Sequence, residues 1–346
     1  MFPALLMCGL LCVQASEEVE ALWKGGARAE ALDRMAAELA SRPADTLLRA
    51  SLVSRELELS RFRSVLLHAE ELGPAGHPAM GRALYFLTRY EEALEYLDAD
   101  DPELILLRVE SLRALGRLAQ ADALLPRVAE HFGAEDPRYR LLVGRKLLRE
   151  GESSAAVLEF RAVLSVQPLE AEALFGLGRA LIKSGEREPG LAALERHRAL
   201  TPLLDALDFA RRGVALAPRS APNQAALGDA WKDLVEFSPR ASGAARLAYQ
   251  RALTLAAGED LVPIALRAGR FRAEVEADLR GAAELLEGVL ERREDVRLRV
   301  RAADYRAGAG EPERARAHLE AALEARPGDR AILERLDRLR QEGSTK

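Results

Sequence analysis

The sequence predicts an all-α fold, a right-handed superhelical solenoid of antiparallel helix pairs that ends in a C-terminal capping helix. Two observations lead to this prediction. Ala, Leu, Arg and Glu dominate the 346 residues, whereas Asn occurs only at position 223, a composition typical of helices and not of strands. The second observation is a fixed spacing of glycine and proline, about 34 residues long, which indicates a repeat array that grows without a single core.

The composition also limits the classes of partner. The chain is 49% hydrophobic and 30% charged, so it has enough apolar surface for a packed structure. Its formal net charge is −5, with both signs interspersed along the chain. Because the sequence has no basic block of the kind that wraps around phosphates, we do not expect nucleic acid as a partner.

The repeat is defined by five landmarks, at offsets of 0, 5, 9, 12 and 17 residues. In the middle of the chain they are Gly151, Ala156, Phe160, Val163 and Pro168. The same offsets recur from Gly26, Gly116, Gly185 and Gly310. Glycine suits the reversal between two helices, a small residue allows close approach, and proline ends the second helix. Each repeat is therefore predicted to be a helix pair.

These landmarks resemble those of the tetratricopeptide repeat, whose period is about 34 residues. The Leu-Gly of that family's first helix is matched at Gly178, and Gly144 follows a valine in the same way. The family's later alanine, aromatic residue and proline are matched by Ala156, Phe160 and Pro168. The resemblance covers most of the chain. It implies the fold, and it implies a protein-binding role without naming the partner.

The pattern departs from the repeat at two places. Pro218 lies only sixteen positions after Pro202, which is room for one unpaired helix, and the register over 258–295 cannot be fixed. After the last proline, residues 330–341 are predicted to form the capping helix. The predicted segments are 1–15, a signal peptide; 16–202, N-terminal repeats; 203–220, an unpaired helix or junction; and 221–346, C-terminal repeats with the capping helix.

The N-terminal segment is apolar and uncharged over residues 2–13, and it holds both cysteines, Cys8 and Cys12. It is too short to span a bilayer but has the length of a signal-peptide core, with cleavage expected after Ala15. Two alternatives are an N-terminal helix that docks on the array and a lipid anchor at Cys12. No other apolar run has membrane length, so we expect no membrane span in the mature chain.

No constellation in the sequence predicts catalysis, a cofactor or a metal site. The five histidines do not form an HExxH or an i, i+4 metal pair. His197 falls at a core position of its repeat and is interpreted as a packed side chain. Gly176 and Gly178 mimic the start of a dinucleotide loop, but they lie within a predicted helix and no third glycine follows.

One constellation suggests a binding site. Arg145 and Arg149 on one first helix are followed, 34 residues later, by Arg179 and Lys183 on the next, and Phe175 lies one turn before Arg179. First helices line the concave groove of such arrays. These five residues are therefore predicted to bind a protein or peptide, and the cations favour an acidic one. The other interpretation is an ordinary solvated surface, or pairing with Glu172 and other local acids.

The sequence thus favours a non-catalytic scaffold or adaptor, extracytoplasmic and bacterial, that holds a peptide or protein partner in its concave groove. One alternative is a cytoplasmic adaptor of the same repeat type, if the N-terminal segment is retained. Another is a repeat scaffold that is accessory to an enzyme.

Overall fold

The computed structural model describes residues 16–98 and 100–344, and the regular structure in them is helical, with no strand. The predicted all-α fold is confirmed. The chain divides into two compact units, residues 1–202 and 203–346. The predicted signal peptide, 1–15, lies outside the described residues.

Most helices of the first unit follow one another with short turns, and the longest connection is residues 94–103. The helices that begin in this unit are α1 (Glu17–Gly25), α2 (Arg28–Ser41), α3 (Thr46–Glu58), α4 (Phe62–Glu70), α5 (His77–Phe86), α6 (Tyr90–Ala93), α7 (Leu104–Ala114), α8 (Leu118–Ala123), α9 (Leu125–Phe132), α10 (Pro137–Glu150), α11 (Ser153–Val166), α12 (Ala171–Lys183) and α13 (Arg187–Leu216). The last of them, α13, continues past residue 202. Consecutive helices pack on one another, and first helices of adjacent repeats also touch, as α10 and α12 do.

The second unit continues the same plan. Its further helices are α14 (Ala221–Lys232), α15 (Arg240–Leu255), α16 (Leu261–Glu274), α17 (Leu279–Leu290), α18 (Val296–Gly308), α19 (Pro312–Ala325) and α20 (Arg330–Ser344). Helices α16 and α17 pack as a pair and fill the segment whose register the sequence left open. The predicted capping helix is α20, which buries Ile332, Leu336 and Leu339 against its unit.

The turns between paired helices lie where the glycines predict them. Gly116, Gly151, Gly185 and Gly310 have φ values of 73°, 92°, 97° and 78°, the left-handed region that ends a helix without a Cβ clash. The amide after the glycine then donates to a carbonyl in the last turn of the first helix, as Glu152 N does to Leu147 O at 2.9 Å. This bond satisfies a carbonyl that the helix end would otherwise leave free.

The core lies between paired helices and depends on close approach at glycine. Phe160 of α11 is fully buried and is wedged between α10 and α12. A Cβ on Gly144 would lie 2.9 Å from its Cε1, and a Cβ on Gly176 would lie 2.4 Å from its Cζ. Both helices therefore rest with their backbones on one aromatic ring, and this sets α10 and α12 side by side.

One expectation is wrong: Pro202 does not end a helix. It lies inside α13, which continues to Leu216. An apolar stripe at positions 200, 203, 204 and 207 has helical spacing across the proline, with Leu200 and Leu207 buried. Pro202 and Arg198 are both exposed, so water can bond the carbonyl that the proline leaves free. The sequence predicts an unpaired helix or half a repeat over residues 205–217, but up to Leu216 these residues are the C-terminal part of α13.

Candidate functional site

A cavity of about 400 Å³ opens on the first unit beside α10 and α12, and all five predicted binding residues line it. Arg145 and Arg149 reach it from α10, and Phe175, Arg179 and Lys183 reach it from α12. The repeat spacing explains this convergence, because equivalent positions on adjacent first helices face the same side. What the side chains do within the cavity differs from one to the next.

Arg145 forms ion pairs with neighbouring repeats, so its charge is already neutralised. Its side chain is only 9% exposed, and it pairs with Glu110 of α7 and Glu172 of α12. Burial lowers the pKa of the Arg145 guanidinium, and Glu110 opposes that shift. Within the described residues its Nε is buried without an acceptor. Arg145 therefore links three successive first helices across the floor of the cavity.

Arg149 is also paired, although it is more accessible. Its guanidinium contacts the carboxylate of Asp122 on α8, and about a third of its side chain is exposed. An ion pair at this exposure is worth about 0–1 kcal/mol, so a stronger anionic ligand could exchange with Asp122. Arg149 contributes positive charge to the rim, but that charge is largely balanced.

Arg179 and Lys183 carry the unbalanced charge. Both are exposed, and within the described part of the chain neither lies within 4.0 Å of a carboxylate. The Arg179 guanidinium lies over the ring of Phe175, 5.6 Å from its centroid, in a cation–π contact that orients it. The Phe175 ring is 42% exposed and contacts the His197 ring with a centroid distance of 5.3 Å. One wall of the cavity therefore offers two cations and an apolar face.

His197 packs against the same wall of the cavity. Its Nδ1 lies 3.0 Å from the carbonyl oxygen of Ala171, and its ring packs on Phe175. The structure thus gives this histidine a packing contact that supports Phe175.

Sequence reasoning missed two acids that shape the site, Glu110 and Asp122. Glu110 lies six residues before the turn glycine Gly116, as Arg145 lies six before Gly151. The signal was present in the repeat register, since it places opposite charges on neighbouring first helices. Asp122 lies on a second helix, and only the packing of α8 against α10 brings it to Arg149.

No helix of the described chain is long and apolar enough to cross a membrane. Among the described residues, no group of three or more His, Cys, Asp or Glu side chains converges on a point where a metal could bind.

Comparison with known proteins gives likeness in structure only. No protein-family model and no curated protein sequence matches the chain. The structure is similar to that of TTC0263, a thermophilic TPR protein in Thermus thermophilus, at 22% identity and a TM-score of 0.32, over 59% of this chain and 98% of that one. It is also similar to YrrB, a TPR protein with an unusual peptide-binding site, at 18% identity and a TM-score of 0.30, over 61% and 96%.

A third similar structure is the TPR domain of P58(IPK), at 16% identity and a TM-score of 0.26, over 95% of this chain and 98% of that one. The chain's own helices show the repeat type. Paired helices alternate with left-handed turns, and first helices stack on first helices. The chain is an all-α protein built from tetratricopeptide-like helix pairs.

Proposed function

We propose that the chain is a non-catalytic scaffold that holds a protein or peptide partner, and that an acidic segment of this partner binds in the cavity beside α10 and α12. The observation that carries the proposal is a pair of exposed cations, Arg179 and Lys183, next to the exposed ring of Phe175. Neither cation has a carboxylate partner in the described part of the chain. Four residues separate them, so they lie one turn apart on the same side of α12.

This arrangement suits carboxylates for a physical reason. A guanidinium fixed over an aromatic ring loses little side-chain entropy when a carboxylate binds it, and its planar donors match the two oxygens. Glu110, Glu172 and Asp122 already neutralise Arg145 and Arg149, so the added charge of a ligand falls on α12. The aliphatic part of the ligand can lie on Phe175.

The test is the double substitution Arg179→Glu with Lys183→Glu, compared with Arg198→Glu, an exposed arginine of α13 that does not line the cavity. The probe is a fluorescein-labelled peptide with four consecutive glutamates, titrated at several salt concentrations. We expect the double variant to weaken binding at least about tenfold and to remove most of its salt dependence. Equal affinity and equal salt dependence in the double variant and in wild type would contradict the proposal.

We also propose that the protein acts outside the cytoplasm, because residues 2–13 have the apolar length of a signal-peptide core and Ala15 fits the cleavage rule. The measurement is the N-terminal sequence of the protein isolated from its native host. A chain that begins at Ser16 is expected, and an intact Met1 would favour the cytoplasmic adaptor instead.

A further inference from the structure

Four aromatic side chains meet in the first unit, N-terminal to the cationic cavity. We call Phe62, Tyr85, Phe86 and Tyr90 the aromatic group. The rings of Phe62 and Phe86 stack with centroids 4.8 Å apart and planes at 12°. Tyr85 contacts Phe86 and Tyr90 edge to face, at 5.3 Å and 5.7 Å. Phe86 is 54% exposed, so the group presents an apolar ring to solvent.

The repeat register relates this group to the cavity. Each helix pair of the first unit turns at a residue with positive φ, and in the α5–α6 pair this residue is Thr88, at 61°. Phe86 lies two residues before Thr88, as Arg149 lies two before Gly151 and Lys183 two before Gly185. Arg149 and Lys183 both line the cavity. Phe86 therefore occupies on α5 the position that these cations occupy on α10 and α12.

The second ring of the stack has a counterpart as well. Phe62 lies two residues after the turn residue Ser60, as Leu118 lies two after Gly116. Leu118 lines the cavity together with Arg149 of the next first helix. The Phe62–Phe86 stack is thus the equivalent, two repeats earlier, of the Leu118–Arg149 wall. Burial raises the pKa of Tyr85, and the charges of Glu110 and Arg145 also act on its hydroxyl.

We propose that the aromatic group is a second subsite of the same groove, and that its occupant is an extended peptide with acidic residues over Arg179 and Lys183 and an aromatic or large aliphatic side chain on Phe86. This inference rests on the proposed function. Charge fixes the order of the two parts along the array. At the N-terminal end of the same edge, two residues before Ser60, the equivalent position holds Glu58, an acid paired with Arg28 at 2.6 Å, and not a cation that could hold the acidic part.

The spacing of the two parts follows from the geometry of the array. Between α5 and α12 the first helices are α7 and α10, so Phe86 and Lys183 are three helix steps apart. With about 10 Å between adjacent helices the span is roughly 30 Å. An extended chain covers about 3.3 Å per residue, so the apolar side chain should lie about nine residues from the acidic part. On α7 the equivalent position holds Ala114, a small residue over which a peptide can pass.

The experiment uses the whole chain and three labelled peptides that share four glutamates. In the first peptide a polar spacer of eight residues precedes a phenylalanine, in the second a serine replaces that phenylalanine, and in the third the spacer has three residues. Binding is measured for wild type, for Phe86→Gln and for Leu67→Ala. Leu67 is the control, since it is a large apolar side chain, 68% exposed, that lies on α4 and is not part of the aromatic group.

We expect the first peptide to bind wild type about tenfold more tightly than the other two, from burial of one aromatic side chain. Phe86→Gln should remove this difference and Leu67→Ala should keep it; if Phe86→Gln unfolds, Phe86→Leu replaces it and should keep part of the difference. Equal binding of all three peptides, still abolished by Arg179→Glu with Lys183→Glu, would overturn the second subsite and leave the proposed function intact. Dimerisation of wild type that Phe86→Gln abolishes would also overturn it, because the occupant would be a second copy.

Discussion

At the scale of single residues, buried arginines connect the repeats. Arg306 is 1% exposed and bonds both oxygens of Glu287 and one oxygen of Glu311. Arg145 has the same role in the first unit, between Glu110 and Glu172. A buried guanidinium is tolerated only when carboxylates satisfy it, and removal of one partner leaves an uncompensated charge. The arginines of this chain therefore connect neighbouring helices in the interior as well as charge the surface.

Residue-scale strain gives the first prediction. Ala277 has φ of 54°, in the region where a Cβ costs about 1–2 kcal/mol and glycine costs nothing. We expect Ala277→Gly to stabilise the chain by about 1 kcal/mol, after allowance for the greater entropy of glycine when unfolded. Gly151→Ala, at φ of 92°, should destabilise it by a similar amount. The measurement is urea unfolding of both variants, and a destabilised Ala277→Gly chain would contradict the argument.

Three turns that lack glycine explain why the sequence could not reveal the repeat register there. Ser60, Thr88 and Ala277 adopt positive φ without glycine, so the usual marker of the turn is missing. The later landmarks are present after Ala277: positions 282, 286 and 289, at offsets of 5, 9 and 12, are all buried. A pattern search anchored on glycine cannot find this register. The packing of the apolar landmarks imposes the turn, and it is strong enough to hold an alanine in a strained conformation.

At the scale of helices, glycine contacts give the second prediction. A Cβ on Gly176 would lie 2.4 Å from Phe160 Cζ, so Gly176→Ala must push α12 away from α11. We expect this variant to lose about 1–3 kcal/mol of unfolding free energy through overpacking. Gly288→Ala on α17 is the matched control, because nothing lies within 4 Å of its Cβ position.

The control should gain about 0.5–1 kcal/mol from the higher helix propensity of alanine. Opposite signs for the two substitutions, measured by thermal unfolding, are the expected result. A stabilising Gly176→Ala would show that α12 can shift at no cost. In that case Phe160 would not set the distance between α10 and α12, and the account of how the cavity wall is positioned would be wrong.

Helix-scale periodicity also explains how much of the site was predictable. The period brought Arg145, Arg149, Phe175, Arg179 and Lys183 to one cavity, since equivalent positions on stacked helices face one side. It could not separate the cations that have carboxylate partners in the described chain from those that have none there. That difference depends on Asp122, which comes from a second helix, and on the burial of Arg145 between two neighbours. Pro202 failed as a helix end because an apolar stripe continues past it.

At the scale of the whole molecule, the net charge does not reveal where positive charge is locally in excess. The formal net charge is −5, yet the cavity beside α12 exposes two cations without carboxylate partners among the described residues. Because the rest of the chain carries an excess of acid, its surface repels anions in general, and these two cations are a local exception. The paired charges, in contrast, connect helices within each unit, and they make the stability of that unit depend on pH.

The last prediction concerns that pH dependence. Bonds from Arg306, and then from His318, lower the pKa of Glu287 to about 2, against an ordinary value of 4.5. Because the folded pKa lies below the unfolded one, ionised Glu287 contributes stability that is fully present above about pH 4.5 and is lost as the pH falls through about 2. The other contact is geometric: His318 Nε2 lies 2.9 Å from Glu287 Oε1.

Glu287→Gln should therefore lower the thermal midpoint at pH 7, because the buried Arg306 loses a charged partner, and the difference from wild type should shrink steadily between about pH 4.5 and pH 2. Glu320→Gln, an exposed change on α19 without an ion pair in the described residues, is the control and should follow wild type at every pH. Thermal unfolding followed by circular dichroism across this range gives the comparison. If the difference between Glu287→Gln and wild type is constant with pH, Glu287 acts through its shape and hydrogen bonds and not through its charge.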